Sequence, residues 1–164
     1  MFLQGSRFLV ILQRSLGDER MNNMEKAIDI IDNFEVGMIE TYSQTITDAD
    51  IKAFSGISGD KNPVHMSDDF ASGTKFKKRI AHGLMSASFF SALFGMRLPG
   101  PGCVYLSQNL KFLKPVYIGD TVNAKVTLIK LNKRSRRFTF ETNCYVDGDI
   151  VITGEAEIFL PKNC

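Results

Sequence analysis

Two titratable side chains in one short segment, Asp60 and His65, are well suited to acid–base chemistry. They lie five positions apart in S-G-D-K-N-P-V-H, where Gly59 and Pro63 favour a bend over a helix. A bend can bring both side chains to one point, where they hold a water molecule. One group then takes its proton and the other delivers a proton elsewhere, and the pKa of an ordinary imidazole, about 6.5, suits this work. The alternative, which the spacing alone favours, is structural: Asp60 caps the loop and His65 hydrogen-bonds the backbone.

The second candidate feature is the dipeptide His82-Gly83, which opens an apolar segment. Free N–H groups at a helix start can stabilise a developing oxyanion, and a glycine there leaves room for a substrate. An equally good explanation is that Gly83 lets the helix pack tightly against a sheet. The serines that follow, Ser86, Ser88 and Ser91, are typical of hydrogen bonds to the preceding turn. None lies in a nucleophile-elbow motif, so serine hydrolase chemistry has no support.

The elements that must position these residues are a buried helix and a sheet. Residues 80–96 carry no charge and are apolar on nearly all faces, which predicts a helix inside a domain. Ahead of them, Thr47 is a predicted N-cap of a helix that stops at Gly59. Residues 121–128, 138–146 and 150–160 alternate with a period of two, and Asp147-Gly148 predicts a hairpin turn. The predicted fold is therefore α+β, a curved antiparallel sheet wrapped around a long central helix.

Length and charge exclude several classes of protein. With 164 residues, of which 44% are hydrophobic, and a net charge of +2, the sequence predicts one globular domain. We expect neither a nucleic-acid-binding nor a membrane protein. The three cysteines have no metal-ligand spacing, and two histidines are too few for a His-rich metal site. We therefore expect no metal and no cofactor.

The domain is predicted to occupy residues 30–164, behind an N-terminal tail of residues 1–29. We interpret the tail as disordered or as an over-extended start, with translation beginning at Met21 or Met24. Arg7 and Arg14, with no acidic residue before Asp18, leave an organelle presequence as the alternative. The expected location is cytoplasmic, or mitochondrial if the tail is a presequence.

Five basic residues lie between two predicted strands: Lys130, Lys133, Arg134, Arg136 and Arg137. A solvated hairpin loop is the simpler explanation. The functional alternative is a landing site for phosphates of coenzyme A or for an acidic carrier protein. Nucleic acid is a weaker option because no aromatic residues interleave the charges.

Taken together, these motifs resemble the MaoC-like dehydratase family, and in particular its (R)-specific enoyl-CoA hydratases. The resemblance rests on a D-x-N-P-x-H loop, followed by the A-H-G helix start, L-P-G-P-G and a Gly119-Asp120 pattern, over about 130 residues in collinear order. It implies a hot-dog fold, with Asp60 and His65 activating water and the N–H of Gly83 binding an oxyanion. It further implies that Asn62 shapes the loop and that Ser91 orients the aspartate.

The implied reaction is the reversible hydration of trans-2-enoyl-CoA to (R)-3-hydroxyacyl-CoA in fatty acid metabolism, by a homodimeric hydro-lyase that takes an acyl-CoA or acyl-carrier-protein thioester. One alternative is a 3-hydroxyacyl-[acyl-carrier-protein] dehydratase with the same chemistry. Another is a non-catalytic thioester-binding subunit, which is disfavoured because the Asp60–His65 pair is intact. Acyl chain length does not follow from the sequence.

Overall fold

The computed structural model describes residues 29–162. Its largest element is a five-stranded antiparallel sheet in the order β1-β3-β4-β5-β2. The strands are β1 (Ile39–Thr45), β2 (Val104–Phe112), β3 (Thr121–Asn132), β4 (Arg137–Val146) and β5 (Asp149–Phe159). A short 3₁₀ turn, Ile30–Asn33, precedes β1. The predicted tail lies almost wholly outside the described residues, and the domain boundary at residue 30 stays a prediction.

Five short helices complete the chain between β1 and β2. They are α1 (Asp48–Ser58), α2 (Pro63–Met66), α3 (Asp68–Ser72), α4 (Gly83–Ala87) and α5 (Phe89–Met96). No helix within residues 29–162 is both long and apolar enough to cross a membrane.

Both predicted ends of α1 are confirmed. The Thr47 side chain accepts a hydrogen bond from the Asp50 N–H at 3.2 Å, and the Asp50 carboxylate accepts one from the Thr47 N–H at 2.8 Å. This reciprocal capping box satisfies two N–H groups that the first turn leaves open. Gly59 ends the helix in the left-handed conformation, with φ of 77°. The chain therefore leaves α1 in a fixed direction, directly ahead of Asp60.

The predicted helix over residues 80–96 is real, but it begins later and is divided in two. Ile80 pairs with Tyr117 in an isolated bridge, and the Ala81 N–H bonds to the Val116 carbonyl at 2.7 Å. These contacts hold the chain extended until Gly83. Ser88 then separates α4 from α5, and its hydroxyl bonds back to the Met85 carbonyl at 2.6 Å. Such a bond to the preceding turn distorts a helix.

The period-two prediction for the sheet is confirmed in β3, where all four apolar residues of one face are fully buried: Val122, Ala124, Val126 and Leu128. The turn after β4 has φ of 50° at Asp147 and 87° at Gly148, as a tight hairpin needs. Phe94 of α5 packs on Phe140 of β4, with ring centroids 4.9 Å apart. The helix therefore fills the apolar face of the sheet.

One face of the α4–α5 helix is not covered within the described chain. Its exposed residues follow helical spacing: Leu84, Ser88, Ser91, Ala92 and Met96. Leu84 is 60% and Met96 73% exposed. The prediction that this helix is buried on nearly all sides is therefore right only for the face turned to the sheet.

Candidate active site

The loop after α1 is held by a relay of side-chain hydrogen bonds to its own backbone. The Asp60 N–H bonds to the Ser58 hydroxyl at 3.2 Å, and the Asn62 N–H bonds to Asp60 Oδ1 at 3.0 Å. Asn62 in turn caps α2, since its Oδ1 accepts from the Val64 N–H at 3.2 Å. These bonds fix the bend that Gly59 and Pro63 make possible, and Asn62 has the loop-shaping position expected of it.

Asp60 and His65 converge on one point. Asp60 Oδ2 lies 3.9 Å from Nε2 of His65, whose side chain is 12% exposed against 49% for Asp60. Nδ1 of His65 lies 2.8 Å from the Ile80 carbonyl oxygen. A carbonyl can only accept, so Nδ1 carries the hydrogen and Nε2 presents a lone pair towards Asp60.

The geometry shows the structural contacts of this loop and leaves one atom of each side chain unused by them. Asp60 Oδ1 caps the loop and His65 Nδ1 bonds the backbone, which is the structural role. Asp60 Oδ2 and His65 Nε2 remain and face each other at 3.9 Å. That gap is too long for a direct hydrogen bond, but a water with bonds of about 2.8 Å to each atom fits at an angle of about 90°.

His82 is a third member of the site, which the sequence indicated only as a helix start. It is 2% exposed, and its Nε2 lies 3.0 Å from the Asp60 carbonyl oxygen and 3.9 Å from Asp60 Oδ2. Its ring stacks on that of His65, with centroids 3.9 Å apart at 31°. Since the Asp60 carbonyl accepts, Nε2 of His82 is the donor. His82 therefore ties the backbone of one predicted catalytic residue to the ring of the other.

Asp60, His65 and His82 are also close enough to be considered as metal ligands, since one ligand atom of each lies within 4.8 Å of the others. The hydrogen bonds argue against that use. Nε2 of His82 donates its hydrogen to a carbonyl and has no lone pair for an ion. Asp60 Oδ2 and His65 Nε2 face each other, but two such atoms are fewer than the three protein ligands of a catalytic zinc site.

Gly83 opens α4 with an N–H group that has no acceptor among residues 29–162. This is the donor predicted for an oxyanion. The missing side chain has a second explanation, because a Cβ at Gly83 would lie 2.6 Å from the ring of Phe112. Close packing of the helix start against β2, the structural alternative, therefore also favours glycine here.

A cavity of about 600 Å³ joins these groups. Gly83 also lines the cavity, and its polar lining consists of Ser58, Asp60, His65, Lys75, His82 and Lys114. Most of its wall is apolar, formed by Phe54, Phe76, Ile80, Ala81, Leu84, Phe112, Leu113, Pro115, Val116 and Ile152. A largely apolar cleft with a few converging polar groups is the usual form of a small-molecule site.

The fifth predicted residue, Ser91, lies elsewhere. It is exposed on α5, on the uncovered helix face, and does not line the cavity. Its hydroxyl makes no hydrogen bond to Asp60: the carboxylate of Asp60 accepts from the Asn62 N–H, and the backbone carbonyl of Asp60 accepts from His82 Nε2. Within the described chain, Ser91 therefore makes no contact through which it could orient Asp60, as the resemblance implied.

Arg79 fixes the segment that leads from α3 into the cavity wall. It bonds Asp48 at 2.7 Å and Asp68 at 2.9 Å, and both bonds raise the pKa of the guanidinium. The pKa of Asp48 is lowered by its hydrogen bonds, first from Lys52 and then from Arg79. The charge of Arg79 is therefore satisfied internally and is not available to a ligand.

The basic loop at residues 130–137, which includes the end of β3 and the start of β4, lies at the other end of the sheet. Arg137 is paired with Phe159 in the register of β4 and β5, whereas cavity residues Phe112 and Ile152 are paired in that of β2 and β5. Arg136 is 6% exposed and donates to the carbonyls of Leu160 and Pro161. For Arg136, the structure thus favours a role in holding the end of β5.

The fold is that of a hot-dog protein, and its apolar cleft contains a carboxylate and an imidazole that face each other at 3.9 Å. Residues 36–151 match the family described as MaoC like domain, and the chain belongs to that family. The solved structure of the (R)-hydratase from A. caviae involved in PHA biosynthesis superposes with a TM-score of 0.76 at 40% identity, covering 78% of this chain and 98% of that one. The resemblance inferred from the motifs and the α+β hot-dog fold are both confirmed.

Two curated relatives bear on the reaction. The chain is 48% identical over 130 residues to an (R)-specific enoyl-CoA hydratase of Rhodospirillum rubrum, covering 79% of this chain and 90% of the relative. It is 34% identical over 132 residues to a mitochondrial 3-hydroxyacyl-[acyl-carrier-protein] dehydratase of Arabidopsis thaliana, covering 78% of each. Both relatives are named for adding water to, or removing it from, acyl thioesters.

Proposed function

We propose that this protein hydrates trans-2-enoyl-CoA reversibly to (R)-3-hydroxyacyl-CoA, as a hydro-lyase of fatty acid metabolism. The observation that carries the proposal is the facing pair Asp60 Oδ2 and His65 Nε2, 3.9 Å apart in the cavity that Gly83 also lines. The 48% identity to an (R)-specific enoyl-CoA hydratase supports the same reaction.

The pair supplies what addition of water requires. Water held between Asp60 and His65 presents its oxygen to C3 of the enoyl group. The lone pair on His65 Nε2 accepts a proton as the new C–O bond forms, and the same two side chains return one proton to C2. One water is thus added across the double bond, and the pair ends in its starting protonation state. Elimination follows the same steps in reverse.

The developing negative charge on the thioester oxygen requires a donor, and the N–H of Gly83 supplies it. This group is already oriented and has no acceptor within the described chain, so it need not break another bond to act. Losing one donor of this kind typically slows a reaction by ~10²–10³.

His82 acts on the pair without touching the substrate's reacting atoms. Its Nε2–H holds the Asp60 carbonyl at 3.0 Å, and its ring supports the face of His65. The carboxylate and the imidazole come from opposite ends of a six-residue loop, so small backbone movements would change the distance between them. We therefore assign His82 as a positioning residue.

Coenzyme A is the proposed carrier of the acyl group in the thioester, called its handle below, and an acyl-carrier protein is the alternative. Identity to the enoyl-CoA hydratase is 48%, against 34% to the carrier-protein dehydratase. The test compares the turnover of crotonyl-CoA with that of the crotonyl thioester of an acyl-carrier protein, and the faster substrate identifies the carrier. A non-catalytic binding subunit would turn over neither in isolation.

A homodimer is proposed from two uncovered surfaces. Strand β2 is an edge of the sheet, and three of its apolar side chains, Val104, Leu106 and Phe112, are 45%, 41% and 52% exposed. An unpaired apolar edge strand normally pairs or is covered. The stripe on α4–α5, which contains Ser91, is the second such surface. A fully active monomer in sedimentation would contradict the dimer.

We propose a cytoplasmic location, with mitochondrial import directed by residues 1–29 as the alternative. Fluorescent fusions with and without these residues test the choice. Mitochondrial signal that disappears on truncation would overturn the cytoplasmic location.

The reaction itself is tested with purified protein and crotonyl-CoA. The enoyl absorbance should fall, and chiral analysis should find (R)-3-hydroxybutyryl-CoA. Adding the (R) product should restore part of the absorbance, whereas the (S) product should not react. No turnover, or an (S) product, would refute the proposal.

A further inference from the structure

A short lysine-rich turn lies at the edge of the cavity, and neither the motifs nor the reaction assigns it a role. The lysine turn (residues 75–78) contains Lys75, Lys77 and Lys78, all exposed. Lys75 also lines the cavity that contains Asp60 and His65, so it lies where that cavity meets solvent.

The turn has a fixed shape. The Thr74 carbonyl accepts from the Lys77 N–H at 3.2 Å, and the Thr74 hydroxyl accepts from the Phe76 N–H at 3.2 Å. The Tyr117 hydroxyl donates to the Phe76 carbonyl at 3.3 Å, and the Lys75 ammonium lies 5.1 Å from the centroid of the Phe76 ring. The lysine turn is therefore attached to the cavity wall and presents its charges from a defined place.

Local folding does not explain the lysines. Lys77 has φ of 63°, a left-handed conformation that glycine or asparagine adopts more easily. Within residues 29–162, no carboxylate lies within 4.0 Å of the ammonium groups of Lys75, Lys77 or Lys78. Their neighbour Arg79, by contrast, is bound by Asp48 and Asp68. Three uncompensated cations beside a cavity are suited to a ligand that carries several negative charges.

We propose that the lysine turn binds the phosphates of the coenzyme A handle while the acyl group occupies the cavity. This proposal rests on the proposed function and deepens it by naming the residues that recognise the handle. Lysine ammonium groups bind phosphate as point charges and need no particular bidentate geometry. The lysine turn thereby takes the role that the sequence left open, as the alternative to a solvated hairpin, for the 130–137 loop, where Arg136 is engaged with the carbonyls of Leu160 and Pro161.

The test compares two crotonyl thioesters that differ only in the handle. Crotonyl-CoA carries the phosphates, and crotonyl-pantetheine lacks them. In the variant K75A/K77A/K78A, the KM for crotonyl-CoA should rise about tenfold with kcat little changed, because interactions made equally in ground and transition states affect KM alone. The KM for crotonyl-pantetheine should stay within about twofold of wild type, which also shows that the variant is folded.

A matched control removes three positive charges from the far end of the sheet. K130A/R134A/K162A changes exposed residues and the same net charge, and its KM for crotonyl-CoA should remain near wild type. Raising the ionic strength should weaken crotonyl-CoA binding in wild type and in this control, but much less in the lysine-turn variant.

Three results would overturn the proposal: an unchanged KM for crotonyl-CoA in K75A/K77A/K78A, an equal rise for both thioesters, or an equal rise in the control variant. A larger effect on a crotonyl carrier-protein thioester than on crotonyl-CoA would also overturn it, in favour of a protein partner. If wild type hydrates neither small thioester, the proposed function fails as well. If wild type hydrates both and the lysine-turn variant is normal, only the lysine proposal fails.

Discussion

His82 provides a direct test of how the two acid–base groups are held in place. Its Nε2–H bond to the Asp60 carbonyl and its stacking on His65 are separable by substitution. Phenylalanine keeps a ring but has no donor. Glutamine has no ring, but its amide nitrogen can donate from about the position of Nε2. If the hydrogen bond positions Asp60, H82Q should retain activity and H82F should lose it.

The expected magnitudes follow from one neutral hydrogen bond of 3.0 Å. Losing it in H82F should cost about 1 kcal/mol of stability. The effect on rate should be larger, because a displacement of about 1 Å in an active site can cost about 10²-fold. We therefore expect kcat of H82F to fall by about ten- to a hundredfold with KM little changed, and kcat of H82Q to stay within about threefold of wild type.

The assay is steady-state hydration of crotonyl-CoA, with urea unfolding of each variant as the stability measurement. A purely structural role for His82 predicts that activity follows the folded fraction in both variants. The positioning role predicts a loss of kcat in H82F under conditions where the variant is fully folded. Wild-type turnover in H82F, or an equal loss in H82Q, would refute the reasoning.

Two further predictions concern the residues around the site. G83A should destabilise the protein by about 1–3 kcal/mol, because the added Cβ would lie 2.6 Å from the Phe112 ring. In the F112A background the same substitution should cost much less, since the ring is gone. An equal loss in both backgrounds, measured by urea unfolding, would contradict this packing. T47A should cost about 1 kcal/mol at neutral pH by removing the α1 cap. The hydrogen bond from the Thr47 side chain, and then that from its backbone, lowers the pKa of Asp50 below its ordinary value of 3.8. That stabilisation is present above pH 3.8 and is lost as the pH falls through the lowered pKa. The gap between T47A and wild type should therefore narrow in acid unfolding, down to the share of the neutral bond from the Asp50 N–H to the Thr47 hydroxyl. A gap that stays constant to low pH would contradict this.

Features encoded by local chemistry were predictable from the sequence. Thr47 and Gly59 bound α1 because a hydroxyl cap and a left-handed glycine act within one turn of the helix. The buried face of β3 followed from alternation alone, and Asp147-Gly148 from the backbone that a tight turn needs. The bend between Asp60 and His65 followed from Gly59 and Pro63, whereas the convergence of the two side chains also depends on the Ile80 carbonyl that holds His65.

Features that depend on contacts distant in sequence were not predictable in the same way. The helix begins at Gly83 because Ile80 and Ala81 pair with residues 116–117, and no local signal encodes that pairing. The bond from His82 to the Asp60 carbonyl spans 22 residues. Phe112 reaches Gly83 only after β2 is placed in the sheet. Ser91 was placed in the site by resemblance, whereas it lies on the uncovered helix face.

The central claim is that Asp60 and His65 together hold and activate one water. The most direct measurement is the rate of crotonyl-CoA hydration by D60A, H65A and D60A/H65A, each shown by circular dichroism to be folded. Each single variant should lose nearly all activity, and the double variant should lose little more, because residues that act as a unit are not additive. Wild-type turnover in folded H65A, or losses that simply multiply in the double variant, would contradict the account.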